Sequence, residues 1–392
     1  FLQYFFEEDD VVFLKSLGMN CVRLPFNYRH FEDDARPGVY KESGFKHLDR
    51  VVDLCARHGV YTILDLHATV GGQNPGWHSD NAHHRPILFD YVEFQDRTVN
   101  LWRHLASHYK GNPWVAGYNP INEPAVEDAS KLLSLYDRLE KAIREIDPDH
   151  ILFWDGNTFA SDFSAFTSVY PNSVYACHDY SKLGFPQDTQ YEGTDQQKQA
   201  LVQSYERKVT FQKKRQVPIW NGEFGPVYDA DESVNEKRYA LVAQQIAIYS
   251  HEGISWSIWT YKDVNYQGLI YLNPDSPYMK LVSPFIERKQ RVAADRWGSD
   301  ERPLQYLFKP LEEWFAQEVT PKYQKKYPST WTINDWIKCQ VRNTLLSEYL
   351  IPDYADLFQN ASMEELEALA ASFKFSQCKR RDRLNEILAN AR

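Results

Sequence analysis

Two glutamates of this chain stand at the ends of similar β-type stretches. The first lies in Asn122-Glu123-Pro124, at the end of the stretch 115–123, and the second in Asn221-Gly222-Glu223, at the end of the stretch 217–224. A parallel barrel gathers the C-terminal ends of its strands at one mouth, so these two carboxylates could face each other there. Two facing carboxylates are the minimal apparatus for breaking a glycosidic bond. We therefore expect Glu123 and Glu223 to be a catalytic pair.

The elements that must position this pair follow a repeating pattern. Between residues 5 and 225, helical periodicity alternates with short apolar runs, which indicates an α/β protein with parallel strands. The predicted strands are 20–26, 60–67, 115–123, 151–155, 174–180, 217–224 and 253–260. A closed (β/α)₈ TIM barrel has eight strands, one more than the chain offers. Because the chain starts inside a predicted helix, we expect the first strand to be missing and the barrel to be open beside Cys21–Phe26.

The character of the sequence changes after Val319 to polar helices. The last helix of the barrel is predicted near 304–315, and Ser362-Met363-Glu364-Glu365 has the pattern of a capping box that opens a later helix. We predict a catalytic barrel over residues 1–318 and a helical C-terminal extension over residues 319–392. The extension would pack on the barrel or on a partner.

Composition limits the classes of partner. The chain has 392 residues, of which 43% are hydrophobic and 25% charged, as in a folded soluble protein. The formal net charge of −10 disfavours nucleic acid and anionic membranes, because phosphate binding needs clustered Lys and Arg. No apolar run approaches the length of a membrane span. The oligomeric state stays open.

The five cysteines are widely spaced, and their number is odd. This pattern is not a disulfide framework and favours a reducing compartment such as the cytoplasm. The sequon Asn360-Ala361-Ser362 is weak evidence for secretion, which remains open if a leader was removed ahead of Phe1.

Most predicted strands end in a polar or aromatic residue, and together these endings resemble a known family. The motifs are Arg23-Leu24-Pro25, Asp65-Leu66-His67, Asn122-Glu123-Pro124, His178-Asp179-Tyr180, Gly222-Glu223-Phe224-Gly225 and Trp259. In this order they are similar to glycoside hydrolase family 5, the cellulase-like family in the clan of retaining barrel glycosidases. The resemblance covers roughly residues 5–315 and does not extend to the residues after Val319.

The resemblance implies roles for the carboxylates. Glu123 would be the general acid and then the general base, and it would keep the proton that it donates. Glu223 would be the nucleophile, held by Arg23 and by a hydrogen bond from Tyr180. A retaining enzyme holds two such carboxyl groups about 5 Å apart, so that one can attack the anomeric carbon directly.

The resemblance also implies substrate contacts. Asn122 would hydrogen-bond the 2-hydroxyl of the sugar, His67 and His178 would position hydroxyls and neighbouring carboxyls, and Trp259 would form an apolar platform under the ring. Water would be the co-substrate, with no cofactor and no metal.

The loop after the second predicted strand, residues 72–84, is rich in His and Asp. A metal site is conceivable there, although no helix or strand fixes the ligand geometry. Contact of Asn74 and Trp77 with substrate is favoured, because loops after barrel strands form the mouth.

We therefore expect a retaining β-glycosidase that acts on a carbohydrate, either a β-glucoside or a β-glucan. Exo and endo action both stay open. One alternative is a non-catalytic carbohydrate-binding protein on the same scaffold, since fold does not guarantee activity. Another is a glycolipid-directed β-glucosidase whose C-terminal helices recruit a partner or a lipid surface.

Overall fold

A sheet of seven parallel strands forms the centre of the computed structural model, which describes residues 1–81, 83–294, 297–324 and 333–391. The strands, labelled β1 to β7, are Cys21–Asn27, Tyr61–Ala68, Val115–Asn119, Ile151–Asp155, Ser173–His178, Ile219–Glu223 and Ser255–Trp256. Each strand pairs with the next along the chain, and β1 and β7 are the two edges. The prediction of a seven-strand barrel that is open beside Cys21–Phe26 is confirmed for the described residues.

Two predicted strands end four residues earlier than expected. The stretch 115–123 leaves the sheet at Asn119, where Pro120 has no N–H to continue the ladder, and Glu123 has a φ of 46°. The stretch 253–260 contributes only Ser255–Trp256. Gly253 instead ends the preceding helix in the left-handed region, with a φ of 65°. The polar residues of both stretches therefore project from loops beyond the strand ends.

Helices cover the outside of the sheet and connect its strands. Up to β7 they are Leu2–Phe5, Glu8–Ser16, Phe45–Arg57, Val92–Tyr109, Ala129–Arg144, Asp195–Lys208, Thr210–Arg215 and Glu232–Glu252, with a left-handed turn at Asn157–Ala160. Their apolar faces bury large aromatic residues such as Trp102 and Trp154, neither of which is exposed. This packing holds the strand ends at a common mouth.

Two helices follow β7. Gln305–Glu318 agrees with the predicted last barrel helix. Pro277–Arg291 was not predicted; Pro277 occupies its first turn, after the cap Ser276.

Smaller strands and 3₁₀ turns lie outside the central sheet. Glu32–Asp33 and Arg36–Tyr40 form a hairpin, and Lys262–Asp263, Ile270–Leu272 and Cys378–Arg380 form a three-stranded sheet. Short 3₁₀ turns lie at Tyr28–His30, Glu42–Gly44, Trp77–Ser79, Ile87–Phe89, Lys182–Gly184, Arg302–Leu304 and Phe375–Gln377.

The C-terminal region packs on the barrel. Its helices are Pro321–Gln324, Ile333–Cys339, the π-helix Gln340–Leu346, Ser347–Asp356, Met363–Ala371 and Asp382–Ala389. The predicted capping box is present between Ser362 and Glu365. Cys378–Arg380 pairs with Ile270–Leu272 of the barrel side, and the Lys262 ammonium donates to the carbonyl oxygen of Phe373 over 2.9 Å. Residues 325–332 and 392 of the predicted extension lie outside the described residues, and its boundary at 318/319 stays a prediction.

None of the described helices combines the length and the apolar character needed to cross a membrane.

Candidate active site

Glu123 and Glu223 meet at the mouth of the barrel. Glu223 is the last residue of β6. Glu123 lies in the turn that follows β3, and its backbone N–H donates to Oδ2 of Asp155 over 2.8 Å. They are 8% and 5% exposed. One carboxylate oxygen of each, together with a ring nitrogen of His178, lies within 4.8 Å of the others. The structure thus brings together the two carboxylates that the sequence singled out.

Glu223 is held on both oxygens. Nη1 of Arg23 donates to Oε1 over 2.6 Å, and the hydroxyl of Tyr180 donates to Oε2 over 2.9 Å. Arg23 also donates to Oδ1 of Asn122 over 2.6 Å. The guanidinium therefore fixes Glu223 and Asn122 relative to each other.

Glu123 is held by two histidines, one on each oxygen. Nδ1 of His178 lies 2.6 Å from Oε1, and Nε2 of His78 lies 3.0 Å from Oε2. Sequence analysis placed His78 only in a His-rich loop and missed this contact. The 3₁₀ turn Trp77–Ser79 aims its side chain, and no sequence periodicity encodes that direction.

The expectation that Glu123 keeps its proton stays a prediction, and the charge of the neighbouring His178 opposes it. Burial acts to raise the pKa of Glu123, but the charge of His178 and its hydrogen bond to Oε1 outweigh this effect, so the pKa falls well below its usual range. Burial acts to lower the pKa of His178, but Glu223 and Glu123 raise it to about 9. The positive charge of His178 therefore favours the carboxylate form of Glu123.

A buried polar layer supports these residues from below. Asp65 accepts a hydrogen bond from Nδ1 of His67 at 2.8 Å and pairs with Arg23 at 3.1 Å. Asn119, which sequence analysis did not select, accepts from Arg23 and donates to Asp155 over 3.0 Å. Burial raises the pKa of Asp155 to about 6. The layer explains how a buried arginine is satisfied at the centre of the barrel.

Asn74 and Trp77 occupy different positions around the site. Asn74 is fully buried, where its Nδ2 donates to the backbone oxygen of Glu123 over 2.8 Å; it does not line the cavity. Trp77 is 52% exposed on the cavity wall. Contact of either residue with substrate stays a prediction.

The site opens into a cavity of about 1900 Å³. Trp259 stacks on His67, with ring centroids 5.3 Å apart and planes 12° apart. Trp297 also lines the cavity, where its ring packs on Tyr180 with centroids 4.9 Å apart and on Phe185 with centroids 4.6 Å apart. Trp297 and Phe185 were not predicted, since both lie in loops. Flat rings along the cavity suit the faces of a sugar.

The cavity has two further borders. Along the open side between β1 and β7 it is lined by apolar side chains, including Leu17, Val22 and Ile254. Asp335 and Asn343 of the C-terminal helices also line it. The C-terminal region therefore contributes to the wall of the site.

A metal site in the loop 72–84 has no support in the described residues. Among them, Glu123, His178 and Glu223 are the only group of three His, Cys, Asp or Glu that converges closely enough to hold an ion.

Residues 3–265 match the family model described as cellulase (glycosyl hydrolase family 5). The chain belongs to glycosyl hydrolase family 5. A β-xylosidase of Phanerodontia chrysosporium is 48% identical over all of this chain and 84% of that protein. Endoglucanase C of Acetivibrio thermocellus is 25% identical over 73% of this chain and 92% of its own length.

The fold agrees with this assignment. The crystal structure of an endoglucanase from the hyperthermophilic Thermotoga maritima covers 65% of this chain and 82% of that chain, with a TM-score of 0.54 and 22% identity. This family 5 protein is therefore a glycoside hydrolase with a TIM-barrel fold, and at the coarse level a retaining glycosidase. The alternative of a non-catalytic binding protein is not supported.

Proposed function

We propose that this family 5 protein hydrolyses a β-linked glucoside or xyloside by double displacement, with Glu223 as nucleophile and Glu123 as acid and then base. One observation carries the proposal: oxygens of the two carboxylates lie within 4.8 Å of each other. Retaining glycosidases hold their carboxyl groups about 5–5.5 Å apart, and inverting enzymes about 6.5–9.5 Å apart to admit a water.

In the first half of the reaction, Glu223 attacks the anomeric carbon while the bond from that carbon to the leaving oxygen breaks. Glu123 gives a proton to the leaving oxygen. Arg23 and Tyr180 hold the two oxygens of Glu223, so one lone pair is aimed at the carbon before the substrate arrives. The sugar is then covalently attached to Glu223.

In the second half, water attacks the same carbon from the opposite side and Glu123 takes its proton. The carbon–Glu223 bond breaks, and the sugar leaves with its original configuration. The imidazolium of His178 favours the carboxylate form of Glu123 that this step needs. Asn122 binds the 2-hydroxyl in this proposal, and its hydrogen bond with Arg23 supports the role by fixing its side chain.

The substrate class follows from the relatives and the cavity. The 48% identity to a β-xylosidase supports a β-xyloside, and the endoglucanase relative supports a β-glucoside or β-glucan. Xylose and glucose share equatorial hydroxyls at C2, C3 and C4 and differ in the hydroxymethyl group at C5. The contacts of the pocket with that group therefore set the preference between the two sugars.

The test is azide rescue with aryl β-xylosides and β-glucosides. Glu223→Ala and Glu123→Ala should each abolish sugar release without azide. Azide that fills the space left by Glu223 should give an α-glycosyl azide, whereas azide that attacks the covalent sugar in Glu123→Ala should give a β-glycosyl azide. The opposite stereochemistry would reverse the two roles.

Glu127→Ala is the matched control, since Glu127 is exposed on the loop after Glu123. It should retain wild-type turnover. Undiminished release by Glu223→Ala would refute the proposal.

A further inference from the structure

The side-chain amide of Asn74 has only one favourable orientation. Its Oδ1 accepts the backbone N–H of Gly76 over 2.8 Å, and its Nδ2 donates to the backbone oxygen of Glu123 over 2.8 Å. Exchanging the two atoms would set an oxygen against the oxygen of Glu123 and an N–H against the N–H of Gly76. The second N–H of Asn74 is therefore committed to its next neighbour, Nε2 of His78, at 2.9 Å.

This orientation determines what His78 can do. An N–H that points at Nε2 requires a lone pair there, so the ring hydrogen of neutral His78 is on Nδ1. The same Nε2 lies 3.0 Å from Oε2 of Glu123. Two lone pairs at this distance repel each other, and a hydrogen on Oε2 removes the conflict. We infer that His78 is a positioning residue that accepts a hydrogen bond from protonated Glu123 and so favours the protonated form that the first half of the reaction needs.

The ring is held in place by packing. A side chain on Gly76 would come within 2.4 Å of Cε1 of His78, so only glycine leaves room for the ring there. On its other sides the ring meets His67 at 5.9 Å and Phe159 at 6.1 Å. The His78 side chain is 22% exposed and borders the cavity, where the glycosidic oxygen of a substrate can replace it as the acceptor.

This role rests on the proposed function and deepens it. On substrate binding, the hydrogen on Oε2 turns from Nε2 of His78 to the glycosidic oxygen. The O–H bond of Glu123 then breaks as the bond from the sugar to the leaving oxygen breaks, and the leaving group departs with that proton. Water returns a proton to Glu123 in the second half. No oxidant or co-reactant other than water is consumed.

The charged groups around Glu123 oppose each other. The positive His178 faces Oε1 and favours the carboxylate, and Arg23 lies beyond Glu223. The negative charge of Glu223 favours the protonated form, as does Asp155 below, with its Oδ2 on the N–H of Glu123. The ring of His67 faces His78, and its Nδ1 lies 2.8 Å from Oδ2 of Asp65. An acceptor at Nε2 of His78 also favours the protonated form of Glu123, because a hydrogen bond to the neutral form raises the pKa of an acid.

The experiment compares His78→Phe with wild type on two aryl β-glycosides. Phenol needs a proton to leave, and 2,4-dinitrophenolate does not. For the phenyl substrate, the alkaline limb of kcat/KM should move to lower pH by about 1 unit. For the dinitrophenyl substrate, kcat/KM should stay within about twofold of wild type.

Two results would overturn the inference. An alkaline limb that moves to higher pH would mean that His78 donates to a carboxylate. A parallel loss on both substrates would mean a purely structural role. His78→Gln, whose amide oxygen can accept a hydrogen bond, should restore part of the limb, and His83→Phe, in the exposed part of the same loop, should change neither substrate.

A readout that needs no turnover separates this inference from the proposed function. The carboxyl group of Glu123 is titrated by carbon NMR in protein labelled at glutamate Cδ, with Glu123→Gln to assign the signal. The titration midpoint should fall in His78→Phe even if no substrate is cleaved. A midpoint that rises or stays unchanged would refute the role of His78, whatever the activity proves to be.

Discussion

Nη1 of Arg23 lies 2.6 Å from Oε1 of Glu223, although 200 positions separate the two residues in the chain. Arg23 belongs to the edge strand β1 and Glu223 to β6, so the pair spans the mouth of the open barrel. Both side chains are almost fully buried, at 4% and 6% exposed. The contact ties catalytic geometry to the stability of the strand beside the opening.

Replacing Arg23 should therefore cost both activity and stability. Arg23→Met leaves Glu223 and Asp65 buried without their cation, which should lower the free energy of unfolding by about 3–5 kcal/mol. Loss of the preorganised donor should lower kcat at least about 10²-fold. Urea unfolding and steady-state kinetics measure the two effects. Arg29→Met, which removes a half-exposed pair with Asp34, should cost only about 0–1 kcal/mol.

Trp259 should act mainly through binding. Trp259→Ala removes a flat wall of the cavity and the ring that stacks on His67, so kcat/KM should fall about 10–200-fold, chiefly through a higher KM. The control is Trp314→Ala, since Trp314 is 55% exposed on the helix Gln305–Glu318. A loss confined to kcat in Trp259→Ala would argue against a platform.

His178 should make folding stability depend on pH. Its pKa is raised from 6.5 to about 9 by Glu223 and Glu123, so the folded state binds its proton more tightly than the unfolded state. The resulting stability, on the order of 3 kcal/mol, is fully present below pH 6.5 and is lost as the pH rises through about 9. His178→Phe should flatten the profile of unfolding free energy over this range. An equally steep profile in that variant would assign the effect to other groups.

Substitution of Lys262 should show whether the C-terminal region unfolds together with the barrel. Its buried ammonium pairs with Asp10 at 2.7 Å and donates to the carbonyl oxygens of Phe5 and Phe373. Lys262→Met should lower the free energy of unfolding by about 3–5 kcal/mol in a single transition. Lys280→Met, on an exposed face of the helix Pro277–Arg291, should leave it unchanged. Two separate transitions would support an independent extension.

Much of the barrel was predictable because strands and helices leave a periodic signal. The apolar run Ile151–Asp155 was assigned with its observed bounds, and the order of the strands follows from the alternation of elements. The predicted strand ends were wrong where the backbone turns, as at Asn119. A proline or a left-handed residue there interrupts the pairing of the strand without interrupting the apolar pattern. The helix Pro277–Arg291 was missed because prolines mark loops and helix starts alike.

The sequence alone determined that Glu123, Glu223 and Arg23 belong to one mouth, because parallel strands place their C-terminal ends on one side of a barrel. Tertiary structure alone decided that His78 and His178 hold Glu123 from two sides, that Asn74 lies buried behind it, and that Trp297 forms a wall. These residues lie in loops or owe their role to partners distant in the chain. Loop direction follows from packing and hydrogen bonds made only after folding, and no periodicity records it.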